Sequence, residues 1–177
     1  MQKLLATLLA ILQLLPFSIC GINAKTAEWY LPLATQGAEP ENAYLTIFKT
    51  LTGGDTKYYA VGLSGVEYVD ASKLFNILKE YGESQGFKVL PSDDEWLRGN
   101  GYLKTVIYYG DNEEEYEYEY FEDGLYVGMG DGKLTKNTLE AFGYFTNGET
   151  YGAGIDYTVK RIGRTWYIVD TNYGWVA

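Results

Sequence analysis

The second half of this sequence is a succession of short β-prone segments separated by turns that contain glycine. Segments this short and closely spaced pair most directly with their neighbours along the chain, as antiparallel strands. The chain from residue 102 onward is therefore predicted to form a sheet. The β-prone segments are residues 105–109, 116–121, 125–129, 141–146, 154–162 and 165–170.

The last two segments give the clearest strand pairing. Ile155, Tyr157 and Val159 alternate with polar residues, so the three apolar side chains fall on one face of a strand. Gly163 and Arg164 then turn the chain into the final segment. This pattern predicts a hairpin with one apolar face.

The first half has helical spacing instead. A first helix is predicted over residues 42–51, before two consecutive glycines. A second helix is expected to begin after Asp70 or Ser72 as N-cap and to end at Gly82 and Gly86. Its apolar side chains recur at i, i+3, i+4 and i+7, namely Leu74, Ile77, Leu78 and Tyr81.

Short strands are predicted on both sides of the second helix, at residues 58–63 and 87–90. Strand, helix and strand at this spacing are compatible with a crossover that joins two parallel strands. Ser92 and Glu95 have the spacing of a capping box and predict a third, short helix that ends at residues 99–101.

Helices gathered early and strands gathered late favour an α+β domain. We expect early helices packed on one face of a curved, mainly antiparallel sheet. The chain has 177 residues, of which 46% are hydrophobic and 16% aromatic, which is enough for one substantial core. Because no repeat or long linker divides it, a single domain is predicted over residues 25–177.

Residues 1–24 have the pattern of a secretory signal peptide. Lys3 precedes an apolar stretch that is short for a membrane span, and cleavage after Ala24 would leave neither a span nor a cysteine. Cys20 keeps a second interpretation open, because an apolar stretch that ends in Ser-Ile-Cys-Gly is similar to a bacterial lipoprotein box whose cysteine is acylated. Ile19 stands where that box usually has a smaller residue.

The sequence contains no histidine, and 24 acidic against 14 basic residues give a formal charge of -10. Histidine-based triads, proton shuttles and metal sites are thereby excluded within the chain. Negative charge repels phosphate backbones and anionic lipid head groups, so we expect neither nucleic acid nor a membrane surface as partner. A cationic partner or an uncharged ligand fits better. No motif predicts a cofactor.

Four blocks of the sequence, at residues 64–90, 94–103, 120–129 and 148–177, carry a resemblance. In their order they resemble a loosely defined group of uncharacterised exported proteins and lipoproteins of Gram-positive bacteria. In that group a tyrosine-bearing strand, a glycine turn, a tryptophan-bearing strand and a terminal aromatic strand follow one another. The resemblance implies secretion and an α+β, cystatin-like fold. It implies no activity and no catalytic residues.

A strictly alternating acidic segment, residues 113–123, is the main candidate binding site. One interpretation is an edge strand whose tyrosines pack inward while its glutamates stay solvated and discourage strand pairing. The other is a surface for a basic partner. Residues two apart on a strand are spaced by about 6–7 Å, which makes a row rather than a cage, so no metal site is predicted. The candidate residues are Glu115, Glu117 and Glu119 on one face and Tyr116, Tyr118 and Tyr120 on the other.

Residues 128–133 superficially resemble a phosphate-binding loop. The spacing fails and Leu134 stands where a hydroxyl is required, so the segment is predicted to be a turn.

Together these features favour a non-enzymatic exported domain of the bacterial envelope that binds a protein or an envelope polymer. The alternative is a small envelope glycan hydrolase that uses paired carboxylates. Asp70, Asp156 and Asp170 lie nearest to apolar patterns, but Asp70 is expected to cap a helix and the other two to point outward from strands. Trp166 and Trp175 are expected to be a core residue and a closing aromatic rather than ligand platforms.

Overall fold

The computed structural model describes residues 31–109, 115–147 and 151–176. The predicted signal segment and Cys20 lie outside these residues. A short 3-10 helix, Leu31–Leu33, precedes the main elements. In chain order these are β1 (Thr35–Gln36), α1 (Glu41–Leu51), β2 (Tyr58–Gly65), α2 (Ala71–Gln85), β3 (Lys88–Pro91), α3 (Asp94–Gly99), β4 (Leu103–Tyr109), β5 (Glu115–Phe121), β6 (Gly124–Leu134), β7 (Thr138–Thr146), β8 (Gly152–Ile162) and β9 (Thr165–Val176).

Seven of the strands form one sheet in the order β1-β9-β8-β7-β6-β2-β3. It is curled and mainly antiparallel, and helices pack against it. Among the described strands, β2 pairs in parallel with β3 and β6 and the other pairs are antiparallel, and the β2-α2-β3 unit has the parallel pairing with which the spacing is compatible. The predicted α+β class is therefore confirmed, whereas the cystatin-like arrangement stays a prediction.

Helix α1 lies across the sheet and buries one continuous face. Because its apolar residues recur every three or four positions, they share one face, which packs on β7, β8, β9 and α2, and each is at most 4% exposed. We call this side of the sheet the inner face and the opposite side the outer face. The buried residues of α1 are Ala43, Tyr44, Ile47, Phe48 and Leu51.

Helix α2 begins as predicted, with the Asp70 side chain accepting a hydrogen bond from the backbone N–H of Lys73 at 2.8 Å. Gly86 ends it in the left-handed conformation, at a φ of 89°. The prediction that Gly82 also ends the helix is wrong. Gly82 is buried within α2, where a Cβ would lie 2.8 Å from the Phe87 ring, so this glycine permits close packing.

Two further local predictions are wrong. The N-cap of α3 is Asp93, not Ser92, because the Asp93 carboxylate accepts the Trp96 N–H at 2.7 Å. Residues 128–133, predicted to be a turn, lie within β6. Glycine is required there because the Tyr144 ring occupies the place of a Gly128 side chain.

A second, smaller core lies on the outer face of β2 and β3. It is covered by α3 and by the base of a separate two-stranded ribbon formed by β4 and β5. The buried members of this core are Ala60, Leu90, Leu97 and Phe121. This core fixes where the predicted acidic segment stands on the molecule.

Candidate functional site

The acidic segment forms one strand of the β4–β5 ribbon, which we call the acidic ribbon. Within it Ile107 lies opposite Glu117, and Tyr109 lies opposite Glu115. Side chains directly opposite in an antiparallel pair project from the same face. One face of the ribbon therefore combines apolar residues of β4 with glutamates of β5, and we call it the glutamate face.

The glutamates do not all stand in the same environment. Glu115 and Glu117 are exposed, and no ion pair within the described part of the chain involves them. Glu119 is only partly exposed and forms an ion pair with Arg98 of α3. The structure thus leaves two of the three predicted binding glutamates open to a partner.

The tyrosines were expected to pack inward, and the structure differs on this point. Phe121 lies an even number of residues from the glutamates, so its side chain projects from the same face of β5, and it is 4% exposed. At the base of the ribbon, the glutamate face is therefore the face that packs against the rest of the domain. Tyr118 and Tyr120 are half-buried on the opposite face. Glu119 can lie on the face that packs against the domain because Arg98 compensates its charge. Tyr116 pairs with Tyr108 through the backbone, and its side chain lies outside the described part of the chain.

Sequence analysis did not identify Ile107 and Tyr109 as site residues. They are 49% and 69% exposed, beside the two open glutamates. The run that contains them was correctly predicted to be a strand. Only the register between β4 and β5 shows that these apolar side chains stand among carboxylates, and one strand's periodicity does not contain that information.

Arg98 and Glu119 also shape the electrostatics of the ribbon base. The hydrogen bonds and the positive charge of Arg98 lower the pKa of Glu119, and the same contact raises the pKa of Arg98. Both groups therefore stay charged at neutral pH and hold the ribbon to α3.

Tyr126 of β6 lies beside this contact, with its ring 5.5 Å from that of Phe121. Its hydroxyl donates a hydrogen bond to Asp94 at 3.1 Å. Burial, together with the charge of Asp94, raises the pKa of Tyr126 to about 12. Its phenol is therefore a neutral donor at physiological pH rather than a proton-transfer group.

An open cleft of about 540 Å³ lies at the carboxyl ends of the parallel strands β2 and β3. Ligands of sheets with parallel strands commonly bind at such ends. Its walls are mostly apolar, as at Leu63 and Phe75, and the single carboxylate in its lining is Asp93, which caps α3. One carboxylate does not supply both the acid and the base that the alternative, a glycan hydrolase, would need.

The three carboxylates considered for hydrolysis do not line this cleft. Asp70 caps α2, as expected. Asp156 and Asp170 are exposed on β8 and β9. Trp166 is 1% exposed, which confirms it as a core residue, whereas Trp175 is 42% exposed and is not a buried closing aromatic.

Within residues 31–109, 115–147 and 151–176 no group of three or more His, Cys, Asp or Glu side chains is placed to hold a metal ion. In the same ranges no helix has the length and apolar character needed to cross a membrane. Comparisons with protein-family models, with curated proteins and with solved structures find no match for this chain.

Proposed function

We propose that this chain is an exported domain of the bacterial envelope that binds a basic protein and performs no catalysis. The observation that carries the proposal is the composition of the glutamate face, where exposed Ile107 and Tyr109 stand directly beside exposed Glu117 and Glu115. The acidic ribbon is the contact surface.

The mixture of side chains indicates the chemistry of the partner. Exposed apolar side chains favour a protein surface that can bury them, because removal of about 100 Å² of apolar area from water is worth about 2.5 kcal/mol. The flanking carboxylates favour Lys and Arg on the partner and raise the rate of encounter. The formal charge of -10 adds a long-range attraction for the same basic partner.

The base of the ribbon is also anchored to the rest of the domain. Phe121 at its base is buried, and the ion pair between Arg98 and Glu119 connects β5 to α3. The base of the ribbon is therefore fixed to α3, which reduces the entropy that the ribbon loses on binding.

The test compares two variants with the same change of charge. Glu115→Gln/Glu117→Gln alters the ribbon, and Glu80→Gln/Glu83→Gln alters two exposed residues of α2. Proteins captured from envelope extract are identified by mass spectrometry over a salt series. We expect one basic protein to be captured by the wild type and the α2 variant, to be lost by the ribbon variant, and to dissociate as salt shortens the screening length to about 8 Å.

Size-exclusion chromatography of the ribbon variant examines the competing explanation. If the glutamates only protect an edge, their neutralisation should produce oligomers and leave capture unchanged. That result would exclude the ribbon as the binding surface.

Export has its own measurement, the intact mass of the protein recovered from the envelope. A chain that begins at Lys25 is expected. A mass that includes an acylated Cys20 would replace soluble export by lipid anchoring and would leave the ribbon proposal untouched.

A further inference from the structure

The outer face of the sheet carries a row of register partners with an unusual composition. Gly62, Gly128, Tyr144, Gly154 and Trp175 lie side by side across β2, β6, β7, β8 and β9. Along this line, which crosses five strands, three glycines lie next to two large aromatic residues, in the order Gly, Gly, Tyr, Gly and Trp. This row lies on the side of the sheet away from α1 and includes no residue of either hydrophobic core.

The glycines of this row make room for rings. A Cβ at Gly154 would overlap the Trp175 indole and would lie 2.6 Å from Cζ of Phe142. A Cβ at Gly128 would likewise overlap the Tyr144 ring. The rings therefore lie against the sheet backbone, a packing that only glycine permits. Trp175 still exposes 42% of its surface.

Polar groups border the rings on the same face. Asp156 is the register partner of Phe142 on one side and of Asn172 on the other. Asp170 is paired with Thr158, so it is a diagonal neighbour of Asp156, a relationship that places Cα atoms about 7–8 Å apart. Both aspartates are exposed. Two carboxylates and one carboxamide therefore stand at the edge of an aromatic surface.

The charge of this surface limits what it can bind. On β8 the next basic side chain on the outer face is Lys160, about 13 Å along the strand from Asp156. The electron-rich faces of aromatic rings attract cations, as do carboxylates. An anionic polymer would meet repulsion from the aspartates and from the formal charge of -10.

We propose that this surface, formed by Phe142, Tyr144, Trp175, Asp156 and Asp170, binds a cationic glycan, a chain of amino sugars with free amino groups. The apolar C–H faces of the sugar rings stack on the exposed Trp175 ring and on the partly buried rings of Phe142 and Tyr144. The ammonium groups pair with the two aspartates, and Asn172 is placed to bond hydroxyl groups. This surface is separate from the acidic ribbon, so the inference does not rest on the proposed function.

The test uses two defined probes, a hexamer of β-1,4-linked glucosamine and the same hexamer with every amino group acetylated. Binding is measured by titration calorimetry, and the Trp175 indole N–H signal is followed by NMR. We expect the glucosamine hexamer to bind at least about tenfold more tightly than the acetylated one and to shift the Trp175 signal.

Two variants and two controls locate the binding. Asp156→Asn/Asp170→Asn keeps the side-chain shape and should weaken binding of the glucosamine hexamer about tenfold. Trp175→Ala should weaken both probes. Glu80→Gln/Glu83→Gln removes the same charge from α2 and should leave binding unchanged, as should Tyr173→Ala, which removes an exposed aromatic with the parity of the inner face.

Several results would overturn the inference. These are equal binding of the two hexamers, absence of binding to the wild type, and an equal loss in the α2 variant, which would indicate charge attraction without a site. If Trp175→Ala fails to fold, the aspartate variant and the wild-type indole signal still decide the outcome.

Discussion

Arg98 of α3 and Glu119 of β5 are joined by two parallel hydrogen bonds, from Nε to Oε1 at 2.7 Å and from Nη2 to Oε2 at 2.6 Å. This fork-to-fork geometry is the strongest arrangement that a guanidinium and a carboxylate can adopt. It connects the acidic ribbon to α3, whose Leu97 lies in the same small core as Phe121 of the ribbon. Glu119 is therefore an anchor of the ribbon rather than an open binding residue.

The first prediction concerns this anchor. Arg98→Gln should move the pKa of Glu119 upward, toward the ordinary value of about 4.3, because the charge that stabilises the carboxylate is removed. NMR titration of the Glu119 side-chain carboxyl measures it. Arg164→Gln, which removes an exposed arginine on the turn between β8 and β9, should leave that pKa as it is.

The lowered pKa of Glu119 also makes the stability of the protein depend on pH. A carboxyl whose pKa is lower in the folded state contributes stability above its unfolded pKa and loses that contribution as the pH falls through the folded pKa. As the pH falls, the wild type should therefore lose the stability that this pair contributes, whereas Arg98→Gln lacks that contribution at every pH, so the two free energies of unfolding should converge in acid. Identical titration of Glu119 in both proteins would contradict the assigned role of Arg98.

The second prediction concerns a buried carboxylate. Glu41 begins α1 and is 5% exposed, its Oε1 lies 2.6 Å from Nζ of Lys73, and its Oε2 has no hydrogen-bond partner among the described residues. Lys73→Met keeps the length of the side chain but leaves this charge uncompensated. We expect a loss of about 1–3 kcal/mol in the free energy of unfolding, measured in urea.

The control for this prediction is Lys79→Met, an exposed lysine on the same helix, which should change stability by less than about 0.5 kcal/mol. The double variant Glu41→Gln/Lys73→Met should recover part of the loss, since it removes the orphaned charge. Equal stability of the two lysine variants would show that Lys73 does not compensate Glu41.

What could be predicted from the sequence depended on distance along the chain. Asp70 capping α2, Gly86 ending it and the hairpin through Gly163 each follow from residues within a few positions of one another. Helix α1 was placed within one residue because its apolar period is a local property. Such features are fixed before any long-range contact forms.

What could not be predicted depended on a second strand. Glycine at position 128 suggests a turn by itself, and only Tyr144 on β7 reveals it as space for a ring. The alternation of β5 correctly predicted one glutamate face and one tyrosine face. Which of the two packs against the rest of the domain depends on Phe121 and Arg98. The outer-face partners of Trp175 likewise exist only through the register of β8 and β9.

The third prediction concerns the core under α2. Leu78 is fully buried, so Leu78→Ala should lower the free energy of unfolding by about 2–5 kcal/mol through lost burial and the cavity left behind. Urea unfolding with an unchanged slope would measure it. Lys79→Ala, one position along and exposed, should cost little. Equal and small effects would contradict the packing of this helix on the sheet.

The last prediction concerns Tyr126 at high pH. Burial and the neighbouring Asp94 raise its pKa to about 12, whereas an unfolded tyrosine ionises near a pH of about 10. A group whose pKa is raised by folding contributes stability that is complete below the unfolded pKa and is lost as the pH rises to the folded pKa. Between about pH 10 and 12, Tyr126→Phe should therefore lose less stability than the wild type. Tyr109→Phe, which alters a phenol that is 69% exposed, should follow the wild-type curve.

A second variant examines the cause of the raised pKa. Asp94→Asn should lower the pKa of Tyr126, because the charge that opposes phenolate formation is gone. NMR of labelled tyrosine rings measures this pKa. Coincident alkaline unfolding curves for Tyr126→Phe and the wild type would show that burial beneath the ribbon does not hold this phenol neutral.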